Sequence, residues 1–344
     1  MSGCNEIMAV TIKDVAAYAQ CSIKTVSRVV NDEPYVAEAT RRKVQAAIDA
    51  LGYAPNISAR RLVQSKSYVI CILLHEAGFY QSAVLSKVMD IGYQLDYDIL
   101  IQSYFPMHTR SKNKLSSLIR ERRVDGLVIT PPCDVDPFLT ELLNLSKIPT
   151  VHITPLNRTV DVPYVTGDDY QGAYLMTERL LLLGHWRIAF LSGPRNHRTS
   201  IDRLYGYKAA LEMYRIPFDE RLVLDSLFNF DGGYNAAKQA MAMEEPPTAV
   251  FGGSDEAAIG ALYALQEMKI SVPDQVSVCG FGNLAQAQQT WPGLTTVDHP
   301  VEAIVEKAVE ILLEILAERE PESRQVVLPS RLVMRGSTGS NKAD

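Results

Sequence analysis

Residues 11–31 read TIKDVAAYAQCSIKTVSRVVN. Two helical patterns stand here with almost no chain between them. Ile12, Val15, Ala16 and Ala19 fall on one face of the first, at the three- and four-residue spacing that aligns side chains along a helix. Thr11 precedes it and Asp14 lies three positions on, a capping box with Asp in place of the usual Glu. Gln20 and Cys21 make the turn, and Ser22 is suited to cap the second helix. There Val26, Val29 and Val30 point inward, while Ile23, Lys24, Thr25, Ser27 and Arg28 form the opposite face. A third pattern has Val44, Ala47, Ile48 and Leu51 inside and Arg41, Arg42 and Lys43 outside, with Ala37 where a Ser cap would be expected. The spacing predicts a helix-turn-helix. In that arrangement one helix braces against a DNA duplex and the next enters the major groove.

The charge distribution supports the same reading. Residues 1–66 hold nine Lys/Arg against six Asp/Glu, a net of +3, while the remainder holds 25 against 34, a net of −9. A basic head on an acidic body fits a nucleic-acid contact confined to one end. The whole-chain value of −6 hides this.

The run DVAAYAQCSIKTVSRVVN, followed by ALGYAPNISARRLV, resembles the lactose/galactose-repressor (LacI/GalR) family of bacterial transcription regulators. The likeness continues in GDDYQGAYL, LGHWRIAFLSGP, RLYGYKAAL, SDEAAIGALYAL, VPDQVSVCGF, PGLTTVDHP and LPSRLVMRGST, in the family's order and spacing. It implies a small all-α helix-turn-helix DNA-binding domain (1–54) and a hinge helix or linker (55–67). An α/β periplasmic-binding-protein-like domain (68–344) follows, made of two Rossmann-like subdomains. The first would span about 68–166 plus 296–324, and the second about 167–295 plus 325–336.

The residues themselves fit that plan. At 344 residues the chain is long enough for two or more units. From Tyr68 onward short apolar runs alternate with amphipathic patterns: VICILL (69–74), YDILIQ (97–102), GLVIT (126–130), TVHI (150–153), RIAFL (187–191), TAVF (248–251) and VSVCGF (276–281). This alternation predicts βαβ units and a parallel sheet. No GxGxxG follows the first strand, and neither a GxxxxGK[ST] loop nor a GxSxG elbow occurs. Nothing therefore points to a nucleotide cofactor or to an enzyme. The five cysteines include no CxxC pair, which argues for reduced thiols rather than disulfides or a metal site. No apolar run is long enough to cross a membrane. MSGCNEIMAV lacks a signal-peptide profile, so a cytoplasmic location is expected. The tail GSTGSNKAD lacks apolar heptads, which favours a dimer over a coiled-coil tetramer.

The candidate DNA contacts sit at the amino-terminal end. Lys24 can donate to guanine and Ile23 can touch a thymine methyl. Arg28, one turn on, can reach a guanine or a phosphate. Thr11, Ser22, Thr25, Ser27, Tyr35 and Asn56 are candidate phosphate ligands, which fix register rather than sequence. The resemblance implies that Ala59 and Leu62 reach the minor groove of a pseudo-palindromic operator, with Leu62 wedged between base pairs.

For a small-molecule effector the resemblance points to Arg203, whose planar fork suits hydroxyls or a carboxylate, and to Phe228 as an aromatic wall or a core residue. Ser254 and Asp255 follow a strand, where they could bond a ligand or serve as an N-cap and a first-turn acid. His75, Glu76 and Thr154 end strands and could face a cleft. Arg195, Asn196, His197 and Asp202 lie before Arg203, with His197 expected on a surface loop. Many relatives read GFDD where this chain has Gly280-Phe281-Gly282-Asn283, leaving Asn283 to replace the missing Asp or the effector to differ. Trp291 could line the cleft mouth or fill the core. The expected effector is a sugar or sugar derivative, with a purine as the alternative.

Overall fold

The computed structural model describes residues 10–30, 34–53, 66–75, 78–95, 97–158 and 162–342. Asn56, Ala59, Leu62 and Glu76 lie outside the described residues. The chain divides into two units, Met1–Ser67 and Tyr68–Asp344.

In the first unit, α1 (Ile12–Tyr18), α2 (Ile23–Val30) and α3 (Glu38–Leu51) pack around Val15, Ala19, Val26, Val29, Val44 and Ala47. The Asp14 carboxylate accepts from both the Thr11 N–H and its hydroxyl, at 2.8 and 2.7 Å. Those bonds hold its pKa below the ordinary value. Ser22 Oγ accepts from Thr25 N at 3.1 Å and starts α2. The turn between the helices passes through a left-handed Gln20. Helix α3 begins at Ala37 with no side-chain cap and ends on left-handed Gly52.

The second unit holds two six-stranded sheets among the described residues. The first has the order β11-β5-β4-β3-β1-β2, from β1 (Val69–Leu74), β2 (Asp98–Ser103), β3 (Gly126–Ile129), β4 (Thr150–Ile153), β5 (Tyr164–Gly167) and β11 (Gln325–Leu328), all parallel. Strand β1 shows why it is central. Ile70, Ile72 and Leu74 face α4 (Phe79–Gln94) and α12 (Val301–Leu316), while Cys71 and Leu73 face α5 (Thr109–Arg120) and α6 (Pro137–Ser146). A strand buried on both faces reads as a continuous apolar run.

The second sheet has the order β12-β10-β9-β8-β6-β7, from β6 (Ile188–Ser192), β7 (Val223–Asp225), β8 (Ala249–Gly252), β9 (Ser277–Gly282), β10 (Thr295–Asp298) and β12 (Arg331–Val333). Only β12 pairs antiparallel there, against β10. Helices α7 (Asp169–Leu182) and α8 (Arg198–Met213) cover one face of this sheet. Helices α9 (Phe230–Met241) and α10 (Asp255–Glu267) cover the other, and α11 (Ala285–Gln289) is a short turn after β9.

The seven expected strands are present, most displaced by a residue at their starts. Strands β5, β7, β10, β11 and β12 were not foreseen. Each is three or four residues long and stands at or next to a sheet edge, whereas the equally short β3, β4 and β8 lie in the middle of their sheets. They also correct the subdomain boundaries. Thr295 to Asp298 pair with β9, so the chain remains in the second subdomain to Asp298. Gln325 to Leu328 pair with Tyr164 to Gly167, so that segment belongs to the first subdomain and not the second. The physical reason is backbone demand. The open edge of β5 exposes a row of N–H and C=O groups, and β11 satisfies them. No helix among the described residues is long and apolar enough to cross a membrane.

Candidate functional site

On the first unit, Val26 and Val29 anchor α2 to the core, which turns its other side to solvent. Lys24 and Arg28, one turn apart, are exposed, and Tyr35 is almost fully exposed. Ile23 is 46% exposed, an apolar side chain displayed beside two cations. Ser22 and Thr11 are exposed near helix starts, while Thr25 and Ser27 are half buried, more inward than their place opposite the valines suggested.

In the second unit, a cavity of about 180 Å³ lies where the carboxyl ends of strands from both sheets meet, the place where open α/β sheets bind ligands. The first subdomain supplies Gly78, Tyr80 and Gln81 at the start of α4, Pro131 after β3 and Thr154 after β4. The second supplies Pro194, His197, Thr199 and Arg203 after β6, Leu227 to Asn229 after β7, Ser254 and Glu256 after β8, and Phe281, Gly282 and Leu284 around the end of β9. His299 follows β10 at the crossover.

Arg203 is buried and held from three sides. Its Nε and Nη2 reach Asp169 Oδ1 at 2.9 and 2.7 Å, and its Nη1 donates to Gly253 O at 2.6 Å. The guanidinium lies 3.7 Å from the ring centre of Phe281 and 5.2 Å from that of Phe228, where the ring faces attract a cation. Phe228 sits in the left-handed region with φ 61°, a conformation rare for a bulky residue. Ser254 helps to hold it there. Its hydroxyl donates to Phe228 O at 2.8 Å and accepts from Ala257 N at 3.1 Å, which caps α10. A Cβ on Gly193 would lie 2.2 Å from the Phe228 ring, so only glycine lets the ring approach.

Arg203, Phe228, Ser254 and Thr154 therefore line one cavity. Three other candidates do not. Asp255 is fully buried, with Oδ1 accepting from the Thr296 hydroxyl at 2.5 Å and Oδ2 from Leu284 N at 2.8 Å. Burial pushes its carboxyl up to about 6. Its oxygens brace β9 and β10 rather than face the cavity. Asn283 is also committed elsewhere, donating to Asp298 at 3.1 Å and accepting from Arg335 at 2.6 Å, so it does not replace an absent Asp at the cavity wall. His75 bonds Tyr104 O at 3.0 Å and packs on Phe105, away from the cavity.

Among the loop residues, His197 does line the cavity, contrary to the expected surface position. Arg195 and Asn196 do not. Asp202 is held by Arg158 at 3.0 Å and Arg198 at 2.8 Å. Trp291 is 99% exposed and fills neither core nor cleft.

The sequence reading missed Tyr80, Gln81, Glu256, Phe281, Asp169 and His299. Asp169 and His299 stand in GDDY and TTVDHP, runs singled out without roles for these residues. Their part emerges only when the crossovers bring them within 3.7 Å of each other. His299 is buried, and burial lowers its pKa to about 4, with Asp169 pulling the other way. Its imidazole is thus neutral. Tyr80 is held protonated, pushed up to about 12 by burial. No cluster of His, Cys, Asp or Glu suited to a metal occurs among the described residues.

Comparison with known proteins places both halves. Residues 11–56 match the model described as bacterial regulatory proteins, lacI family, and residues 177–338 match the periplasmic binding protein-like domain. The chain is 34% identical over 329 residues to the HTH-type transcriptional repressor PurR of Vibrio atlanticus (strain LGP32), covering 95% of this chain and 98% of that protein. Among solved structures it is similar to the lac repressor dimer bound to operator and the anti-inducer ONPF, with 27% identity and a TM-score of 0.82 across 96% of this chain and 99% of that one. It is also similar to the transcriptional regulator CelR–cellobiose complex, with 28% identity and a TM-score of 0.73 across 95% and 99%.

Proposed function

This chain belongs to the LacI family of bacterial regulatory proteins, and we propose that it is a cytoplasmic repressor of a carbohydrate-use operon whose effector is a small sugar held in the inter-subdomain cleft. The observation that carries the reading is the cavity itself. Strand ends from both sheets converge on it, and Arg203 lies there between aromatic rings. Such a site binds a compact polar ligand with a flat face. The similar CelR complex holds cellobiose.

The DNA-facing roles follow from the first unit. Lys24 and Ile23 would read base edges, with Arg28 on a guanine or phosphate. Thr11, Ser22, Thr25, Ser27, Tyr35 and Asn56 would fix register on phosphates. Ala59 and Leu62 would enter the minor groove. Two copies are needed, because a pseudo-palindromic operator presents two half-sites to a two-fold dimer. A ligand with unequal affinity for two cleft states shifts the dimer between operator-competent and released forms, by no more than that difference. The ligand is bound, not turned over.

A purine effector is the second reading, favoured by the similarity to PurR. Fluorescence anisotropy on a palindromic operator separates the two. A change in affinity caused by a mono- or disaccharide supports the sugar, and one caused by a purine base supports the alternative. If the protein prefers no palindrome over shuffled DNA with any of these ligands, the regulator reading fails.

A further inference from the structure

The chain crosses between the two subdomains after β5, after β10 and after β11. Such crossings act as a hinge, and a hinge alone does not fix how far the cleft stands open. Side chains that join the subdomains bias it. Among the described residues one ion pair does so. Arg158, on the loop after β4 of the first subdomain, places Nη1 3.0 Å from Asp202 Oδ2 on α8 of the second.

Both partners are set in advance. The loop carrying Arg158 is pinned where Asp134 Oδ2 accepts from Leu156 N at 2.6 Å. Arg158 Nη2 also donates to the Thr166 hydroxyl on β5 at 3.2 Å. Asp202 is steadied from its own helix, since its Oδ1 accepts from Arg198 Nε at 2.8 Å. A Cβ on Gly206 would lie 2.2 Å from Tyr170 O, so α7 and α8 pack backbone to backbone and carry Asp202 with them. Side chains held this way lose little freedom on pairing, which is the cost that leaves most surface ion pairs worth little. The two side chains are only 20% and 9% exposed, so salt screens them less than a surface pair.

The pair stands apart from the effector cavity. It borders an open groove of about 610 Å³ whose other walls include Arg198, Tyr170, Tyr205 and Val327. No residue lines both the groove and the cavity. Yet Asp202 directly precedes Arg203, so the same helix carries the bridge and the cavity arginine.

We propose that Arg158 and Asp202 form an ionic latch on the flank of the second unit, outside the effector cavity, which sets how much of the ligand-free protein has its subdomains closed. The pair needs the two subdomains in the arrangement seen here. Closure thus has an intrinsic strength before any ligand binds, and a ligand adds its own preference to that starting balance. Ionic strength then acts on the sensor half of the chain as well as on its DNA contacts. The latch does not depend on which effector the cavity takes.

Electron paramagnetic resonance distances test this in the full-length, ligand-free protein. Nitroxides replace the exposed Arg110 and Asn196, which follow the carboxyl ends of β2 and β6, with Cys4 and Cys21 changed to Ser. Excess unlabelled protein keeps one labelled protomer per dimer. We expect a mainly short distance in the wild type, and a closed-to-open ratio about tenfold lower in Arg158→Met and in Asp202→Asn, as loss of a coupled pair gives. Both variants should fold, because Asp202 keeps Arg198 in the first and Arg158 keeps Thr166 in the second. The double variant should open no further than either single one. Arg198→Met removes a bond to the same carboxylate that does not cross the cleft, so it should leave the distance short. Raising KCl from about 0.1 to about 1 M, where the Debye length falls from about 10 to about 3 Å, should open the wild type but not the variants. A wild type already open at low salt, unchanged distances in both single variants, additive effects in the double variant, or equal opening by Arg198→Met would each overturn the latch. Operator binding, read separately by anisotropy, keeps the regulator reading independent of these outcomes.

Discussion

At the scale of single residues, the site depends on groups that neutralise one another out of water. Asp169 is the counter-ion of Arg203, and both are buried. Removing one member of such a pair leaves a charge stranded, which costs about 3–5 kcal/mol. Asp169→Ala should therefore lower the unfolding free energy measured by urea titration by about that much. His152 is a second test, because burial alone lowers its pKa from 6.5 to about 4. The folded chain refuses a proton that the unfolded chain takes between those values. Its contribution to stability is thus complete above about pH 6.5 and is lost as pH falls toward 4, at about 1 kcal/mol per pH unit. Asp255, with its pKa raised to about 6, slopes the other way between about 4 and 6. His152→Phe should flatten the fall in melting temperature between pH 6.5 and 5, and an unchanged slope would refute the assignment. The residue types at strand ends were readable in advance, but their directions were not. Ser254 and Asp255 are neighbours, yet one borders the cavity and the other is pulled inward by Thr296 and Leu284.

At the scale of elements, β2 forms the outer edge of the first sheet, and six residues of its ladder have one pairing partner. Ile101 on that strand is 46% exposed, and Met107 beyond it is 93% exposed. On α4, Met89 and Tyr93 stand one turn apart, with Tyr93 94% exposed. An edge strand flanked by large apolar side chains is a surface that another copy can cover. This face is where the dimer should form. Tyr93→Glu combined with Met89→Glu should raise the dimer dissociation constant at least about 30-fold, as loss of an anchor worth about 2 kcal/mol would. Sedimentation equilibrium checks this, and a dimer unaffected by both changes would move the interface elsewhere. The long apolar strands were legible because burial on both faces makes them continuous. The short strands at and next to the sheet edges were not, since their main requirement is a backbone partner supplied from elsewhere in the chain.

At the scale of the whole molecule, cations cluster in the first 66 residues while the rest carries a net charge of −9. Binding to DNA through that end releases counter-ions, so the logarithm of affinity falls linearly with that of salt. Lys24→Ala should flatten this slope by about 0.9 per half-site if it meets a phosphate. If it reads a guanine, the larger effect is a loss of sequence preference of about 1–3 kcal/mol at one position. Anisotropy titrations at several salt concentrations, on matched and altered operators, distinguish these outcomes. No change in either quantity would remove Lys24 from the interface.

The order of amino acids alone determined the helix-turn-helix, the alternation of strands and helices, and the family, because helix spacing, caps and apolar runs are local properties of neighbouring residues. Only the tertiary structure decided where the chain crosses between subdomains, which strand-end side chains reach the cavity, and that Asp169, Thr154 and His299 come close to Arg203. Those outcomes depend on edge strands finding partners more than a hundred residues away, as β11 finds β5, and on a buried Arg203 finding its counter-ion Asp169 on another helix. No local pattern encodes that proximity.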